Sequence, residues 1–266
     1  MRRQLVRLLA APLPLLASLG LFSAPASAAI SAYDSTTQYV AMGDSFSAGV
    51  GAPFGDLECG RSPLGYPKLW AQAHGISSFT DVTCGGAVTE DVLAEQISGL
   101  SAETDVVTLT IGGNDTAWGE KVLTCMASGD AACTNTVNQA VAGMSTVATK
   151  LDATYAAIRR AAPNATVYVL GYPPLFEETA GCSVWIAPNQ YQRKELNRFA
   201  RALNQTVMNR STSAGFTFVD AQPFFAGHAV CSSQAWLYPI ANITPLHPTP
   251  DGYRYGYFAA LNSVTG

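Results

Sequence analysis

The stretch Tyr39-Val-Ala-Met-Gly-Asp-Ser-Phe-Ser-Ala-Gly49 decides the fold. Tyr39 to Met42 is a short apolar run with the character of a buried strand. It stops at Gly43, where a polar turn presents Asp44 and Ser45. A strand that ends this way places a serine hydroxyl at the carboxyl edge of a sheet, the edge where open α/β sheets bind ligands. A helix starting near Ser45 would also aim free backbone N–H groups at an anion. The competing reading is that Ser45 only caps a helix.

Working outward, the pattern repeats. Phe79 to Cys84 reads as a second strand and runs into Gly85-Gly86-Ala87. A helix over 89–100 follows, with Val92, Leu93, Ile97 and Leu100 on one face. Asp105 to Ile111 is a third strand, β-branched and apolar as a covered parallel strand should be, and it ends in Gly112-Gly113-Asn114-Asp115. Val137, Val141, Met144, Ala148, Leu151, Tyr155 and Ile158 predict one long amphipathic helix, halted at Pro163. Thr166 to Leu170 is a fourth strand. A second long helix carries Leu196, Phe199, Ala200, Leu203 and Val207, and Phe216 to Val219 is a short fifth strand. Strands alternating with helices predict an α/β fold: a flavodoxin-like three-layer sandwich, with a central parallel sheet of about five strands and helices on both faces.

At the N-terminus, Arg2, Arg3 and Arg7 precede an apolar segment from Leu8 to Phe22, and Ala26-Ser27-Ala28 offers small residues for cleavage. Residues 1–29 are therefore read as a secretory signal peptide and 30–266 as one domain. The formal charge of −4 becomes −7 on losing those three arginines. An acidic chain without a basic run excludes nucleic acid as a partner and offers no footprint for anionic lipid. No later stretch is apolar enough for stable membrane insertion, and a monomer is expected. Six cysteines (Cys59, Cys84, Cys125, Cys133, Cys182, Cys231) in an exported chain imply disulfides. Spacing alone leaves their connectivity open; the sequential pairing is the simplest. Without a Cys-x-x-Cys pair, and with three histidines far apart, no metal site is expected.

Ser45, Gly86 and Asn114 lie at three strand ends that a parallel sheet brings to one edge. Ser45 would be the nucleophile. The N–H groups of Ser45 and Gly86 and the Asn114 amide would hold a developing oxyanion. His74 reads as a helix end and His228 as a loop residue, which leaves His247 as the base. It precedes Pro248, so it is extended, and it leads into the last helix. Asp44 and Asp115 invite a two-carboxylate glycosidase reading, but their Gly-Asp-Ser and Gly-Asn-Asp contexts explain both as turn residues. Phe46, Trp118, Phe176 and Trp185 could line an acyl groove or be core. No Gly-x-Ser-x-Gly elbow is present, which argues against the α/β-hydrolase arrangement.

On Gly43-Asp44-Ser45, Gly86, Gly112-Gly113-Asn114-Asp115 and His247, the sequence resembles the SGNH, or GDSL, hydrolases. Its cysteine spacings are similar to those of the secreted actinobacterial lipases and esterases of that family. The resemblance implies a secreted carboxylic-ester hydrolase acting on lipid or fatty-acyl esters without a cofactor, and three sequential disulfides. A carbohydrate O-acetyl esterase and a non-catalytic extracellular binding module are the alternatives. Many members carry Asp three residues before the histidine; here that position is Thr244. The subgroup is known for a backbone carbonyl in place of the acid. The expectation is thus a Ser–His dyad with the carbonyl of Pro245 or Thr244 fixing the imidazole, and Asp251 capping the last helix.

Overall fold

The computed structural model describes residues 33–266; the leader expected over residues 1–29 lies outside them. Five parallel strands form the sheet: β1 (Gln38–Gly43), β2 (Ser78–Asp81), β3 (Val106–Thr110), β4 (Thr166–Leu170) and β5 (Thr217–Val219). Their spatial order is β2-β1-β3-β4-β5. Chain order reverses between β1 and β3, so the crevice at a topological switch point opens beyond these two strands. The register pairs Gly43 with Thr110, and the two chain segments that follow leave the sheet side by side.

Central strands are covered on both faces. All of β3 is buried, and so is β1 after Gln38. That burial is why they read as unbroken apolar runs rather than alternating ones. Edge strand β2 alternates between exposed and half-buried positions and is shorter than the 79–84 run suggested.

Helices α3 (Thr89–Asp91), α4 (Trp118–Ala127), α5 (Asp130–Ala142), α6 (Met144–Ala161) and α7 (Gln190–Ser213) pack together. The short α2 (Tyr66–Ala73) packs instead with the closing helix, made of a π-helical stretch Gly252–Phe258 and α8 (Ala259–Thr265). Right-handed crossovers require this division, because the connection from β1 out to β2 runs opposite to those from β2 through β5. Trp70, fully buried, donates its indole N–H to Thr265 Oγ1 at 2.9 Å and ties α2 to α8.

Two helices differ from expectation. The long amphipathic helix is broken at Gly143 (φ −71°, ψ −7°) into α5 and α6, yet Val137, Met144, Leu151, Tyr155 and Ile158 all stay buried. The apolar spacing survives a break that periodicity cannot see. After α3 the chain passes through a π turn, Val92–Gln96, and a 3₁₀ turn, Ile97–Gly99. The π turn leaves Leu93 39% exposed and buries the polar Gln96 instead.

Disulfides join Cys59–Cys84, Cys125–Cys133 and Cys182–Cys231. The first holds the 49–62 loop against the exit of β2, where Gly85 N–H donates to the Cys59 carbonyl at 2.8 Å. The second staples α4 to α5. The third ties the loop before α7 to the irregular segment that leads to His247.

Candidate active site

The turn after β1 is fixed before Ser45 is reached. Gly43 has φ +114°, and a Cβ there would strike the Thr110 carbonyl oxygen, so only glycine fits. The buried Gln96 amide clamps Gly43 from the helix side. Its Oε1 accepts from Gly43 N–H at 2.7 Å and its Nε2 donates to the Gly43 carbonyl at 3.0 Å. Asp44 is the N-cap of the single-turn helix α1 (Ser45–Ala48). Its Oδ1 accepts from Phe46 N–H at 3.0 Å and Thr110 Oγ1 at 2.8 Å, and its Oδ2 from the Tyr172 hydroxyl at 2.5 Å. Burial pushes the Asp44 carboxyl up to about 6, against the pull of these hydrogen bonds. Ser45 is thus the first residue of a helix, where backbone N–H groups have no intrahelical acceptor.

His247 arrives from 202 residues further along the chain, and its Nε2 lies 2.8 Å from Ser45 Oγ. Its Nδ1 lies 3.0 Å from the Pro245 carbonyl oxygen. A carbonyl can only accept, so Nδ1 carries the proton and Nε2 is left bare toward the serine hydroxyl. Of the two carbonyls proposed to orient the ring, Pro245 faces it; that of Thr244 accepts the His247 backbone N–H at 3.3 Å. Phe46 stacks on the imidazole with centroids 5.1 Å apart. Burial pushes the imidazole down to about 4, while the Pro245 and Thr244 carbonyls pull the other way.

Asn114 follows β3. Its Nδ2 donates one hydrogen to the Ala87 carbonyl at 3.0 Å, which leaves the second for a ligand. Gly86 immediately precedes Ala87. Its φ of +83° calls for glycine, whereas a Cβ there would meet nothing within 4 Å. The backbone, rather than crowding inside the protein, therefore explains that glycine. Asp115 caps at long range: its carboxylate accepts from Thr89 Oγ1 at 2.6 Å and Thr89 N–H at 3.1 Å, tying the β3 exit to the start of α3. Ser45, Phe46 and Asn114 line one narrow pocket with Trp118, Leu175, Phe199 and Leu203, with a cavity volume of about 30 Å³.

The four aromatics separate cleanly. Phe46 and Trp118 line the pocket, Phe176 is core, and Trp185 is 94% exposed. His74 contacts Asn262 and Trp70 at the end of α2, and His228 stacks on Trp236. Asp251 corrects an expectation: it makes no capping hydrogen bond. Thr249 fills that role, its Oγ1 accepting from Gly252 N–H at 3.2 Å.

Reasoning from sequence missed Gln96, Asn204 and Tyr172. Asn204 of α7 clamps Tyr172 as Gln96 clamps Gly43, with Oδ1 on the Tyr172 N–H at 2.8 Å and Nδ2 on its carbonyl at 2.7 Å. Tyr172 directly follows β4, so the strand-end signal that picked out Ser45 and Asn114 was present in Gly171-Tyr172-Pro173-Pro174 as well.

A hydroxyl hydrogen-bonded to a correctly protonated imidazole, beside free N–H donors and an apolar pocket, is the equipment of a serine hydrolase. The chain belongs to the GDSL-like Lipase/Acylhydrolase family, whose profile matches residues 41–255. It is 40% identical over 265 residues to a lipase of Streptomyces rimosus, covering 96% of this chain and 97% of that one. The crystal structure of the extracellular lipase from that organism superposes with a TM-score of 0.82 at 39% identity, over 86% of this chain and all of that one. Phospholipase A1 of Streptomyces albidoflavus NA297 superposes with a TM-score of 0.81 at 39% identity, over 85% and 98%. The protein is a GDSL lipase/esterase that hydrolyses carboxylic esters.

Proposed function

We propose that Ser45 and His247 form a catalytic dyad that cleaves fatty-acyl esters through an acyl-enzyme. His247 Nε2 takes the Ser45 hydroxyl proton as Oγ adds to the acyl carbonyl carbon. The carbonyl oxygen becomes an oxyanion held by the N–H groups of Ser45 and Gly86 and the free Asn114 amide hydrogen. The imidazolium then gives its proton to the leaving alcohol oxygen, and water repeats the sequence to release the acid. Burial pushes the His247 imidazole down to about 4, which favours the neutral base at neutral pH. The Pro245 carbonyl, accepting from the Nδ1–H, supports the transient imidazolium in place of a carboxylate.

The observation that carries this reading is the 2.8 Å contact between Nε2 and Oγ. The fatty-acyl preference is supported by the apolar walls of the adjoining pocket and by relatives called lipase and phospholipase A1. A fluorophosphonate probe should label the wild type at Ser45 and leave Ser45→Ala unlabelled; labelling elsewhere sinks the dyad. Ala200→Phe, which fills the pocket, should lower hydrolysis of p-nitrophenyl decanoate relative to the acetate. A wild type active on acetylated carbohydrate alone would sink the fatty-acyl reading. Secretion of a monomer belongs to the same proposal, and the three disulfides support export to an oxidising compartment. N-terminal sequencing and sizing of protein from culture supernatant would test it, with cleavage expected after the Ala26–Ala28 segment.

A further inference from the structure

We propose that the Tyr172 hydroxyl and the Asp44 carboxylate act as positioning residues, a strap that locks the oxyanion-holding turn to the nucleophile turn. Both turns leave adjacent strands through glycines in the left-handed region, Gly43 at φ +114° and Gly112 at φ +106°. Glycine alone does not fix such exits, so the groups they carry must be held in one geometry by surrounding side chains. A single phenol oxygen bridges them. It donates to Asp44 Oδ2 at 2.5 Å, one residue before Ser45, and accepts from Gly113 N–H at 2.9 Å, one residue before Asn114. Donation to a carboxylate makes that oxygen a better acceptor for the Gly113 N–H, so the two bonds reinforce one another.

The strap is itself anchored from three sides. Asn204 grips the Tyr172 backbone, and Thr110 Oγ1 and Phe46 N–H grip the other carboxylate oxygen of Asp44. There is no slack: a Cβ at Gly113 would come within 3.0 Å of the Tyr172 hydroxyl. Tyr172 is 5% and Asp44 1% exposed, so water is poorly placed to replace either bond. Neither residue is in hydrogen-bond contact with the reacting Ser45–His247 pair; both act through Ser45 and Asn114.

The proposal rests on Asn114 as an oxyanion donor, and its test is a double-mutant cycle on p-nitrophenyl butyrate. Asn114→Ala alone should cost about 10²–10³ in kcat, as for a lost oxyanion donor. Tyr172→Phe should lower kcat on the order of 10-fold with KM within about twofold, since the loss falls on the transition state. In the Asn114→Ala background the same change should cost less than about twofold, because the group it positions has gone. Inhibition by a trifluoromethyl ketone, which forms a tetrahedral adduct, should weaken in Tyr172→Phe by the factor lost from kcat. Asp44→Asn keeps the shape and cuts the strap from its other end. Its loss should not multiply with that of Tyr172→Phe, and it serves alone through the Asn114 cycle where the phenylalanine variant does not fold. Equal losses in both backgrounds, a raised KM with kcat kept, or no loss at all would overturn the strap. An Asn114→Ala variant of unchanged kcat would overturn the oxyanion assignment and the strap with it.

Discussion

Ser45 and His247 meet at 2.8 Å, but the regions that deliver them are held in different ways. The turn that carries Ser45 sits in a buried mesh of side chains. Asp44, Thr110, Ser47, Tyr66, Gln96 and Tyr172 all bind the turn or one another there. His247 comes from the irregular segment after β5, whose stretch next to the histidine is held by backbone hydrogen bonds. Leu246 N–H donates to the Tyr238 carbonyl and Tyr238 N–H to the His247 carbonyl, both at 2.9 Å. Leu246 takes φ +61°, an uncommon conformation for a non-glycine residue, and its buried side chain holds it there. The Ser45 side should therefore be sensitive to side-chain substitution over many positions, and the His247 side over few.

The largest effect should come from the shared contact itself. Ser45→Ala or His247→Ala should lower kcat by roughly 10⁴–10⁶, and the double variant should be no worse than the poorer single, because the pair acts as one unit. Steady-state hydrolysis of a p-nitrophenyl ester measures this; a His247→Ala enzyme within tenfold of wild type would break the pairing of the two regions. Next comes Asn114→Ala at about 10²–10³, on the Ser45 side of the comparison. Equal loss of ground-state binding, read as a raised KM at constant kcat, would place Asn114 in substrate binding instead.

The two regions also titrate in opposite senses. Asp44 is pushed up to about 6 by burial, so it favours the folded state most in its neutral form. That advantage is complete below the ordinary carboxylate range and is lost as pH rises through 6. His247 is pushed down to about 4, so its contribution is complete above the ordinary imidazole value and is lost as pH falls toward 4. Asp44→Asn removes only the first. Its stability relative to wild type should improve between pH 4 and pH 7, by up to about 3 kcal/mol at the upper end. Urea melts at the two pH values would show it. A relative stability independent of pH would mean that folding leaves the Asp44 carboxyl at its ordinary value, and the mesh would have to be redrawn.

The same contrast governs what could be read from the sequence. Apolar runs such as Val106–Thr110 announce covered strands because burial on both faces leaves no polar position to confuse the period. The convergence of Ser45, Gly86 and Asn114 could be expected because parallel strands must end on one edge. The clamps were not. Gln96 lies on a helix whose apolar spacing pointed elsewhere, and only a π turn brings it to Gly43. Asn204 looks like any polar residue of a long helix until its partner, 32 residues away, is known. Periodicity reports which face is buried; it carries no information about which polar side chain will find a backbone partner across the fold. Gly143 breaks a helix without disturbing the apolar stripe for the same reason.

The smallest effect is the most pointed for the base region. A carboxylate in contact with the imidazole would make its removal cost about 10⁴ in turnover. Here the ring's Nδ1 faces the Pro245 carbonyl, which no side-chain substitution removes. Asp251, four residues on, is exposed and caps nothing, since Thr249 caps the closing helix. Asp251→Ala should therefore change kcat by less than about threefold, within the range of a surface substitution. Thr249→Val should be worse than Asp251→Ala, because it removes the cap that starts the helix directly behind His247. If instead Asp251→Ala fell by thousands while Thr249→Val stayed near wild type, the imidazole would be oriented by a carboxylate in solution. The contrast between a side-chain mesh at Ser45 and a backbone tether at His247 would then fail at its central point.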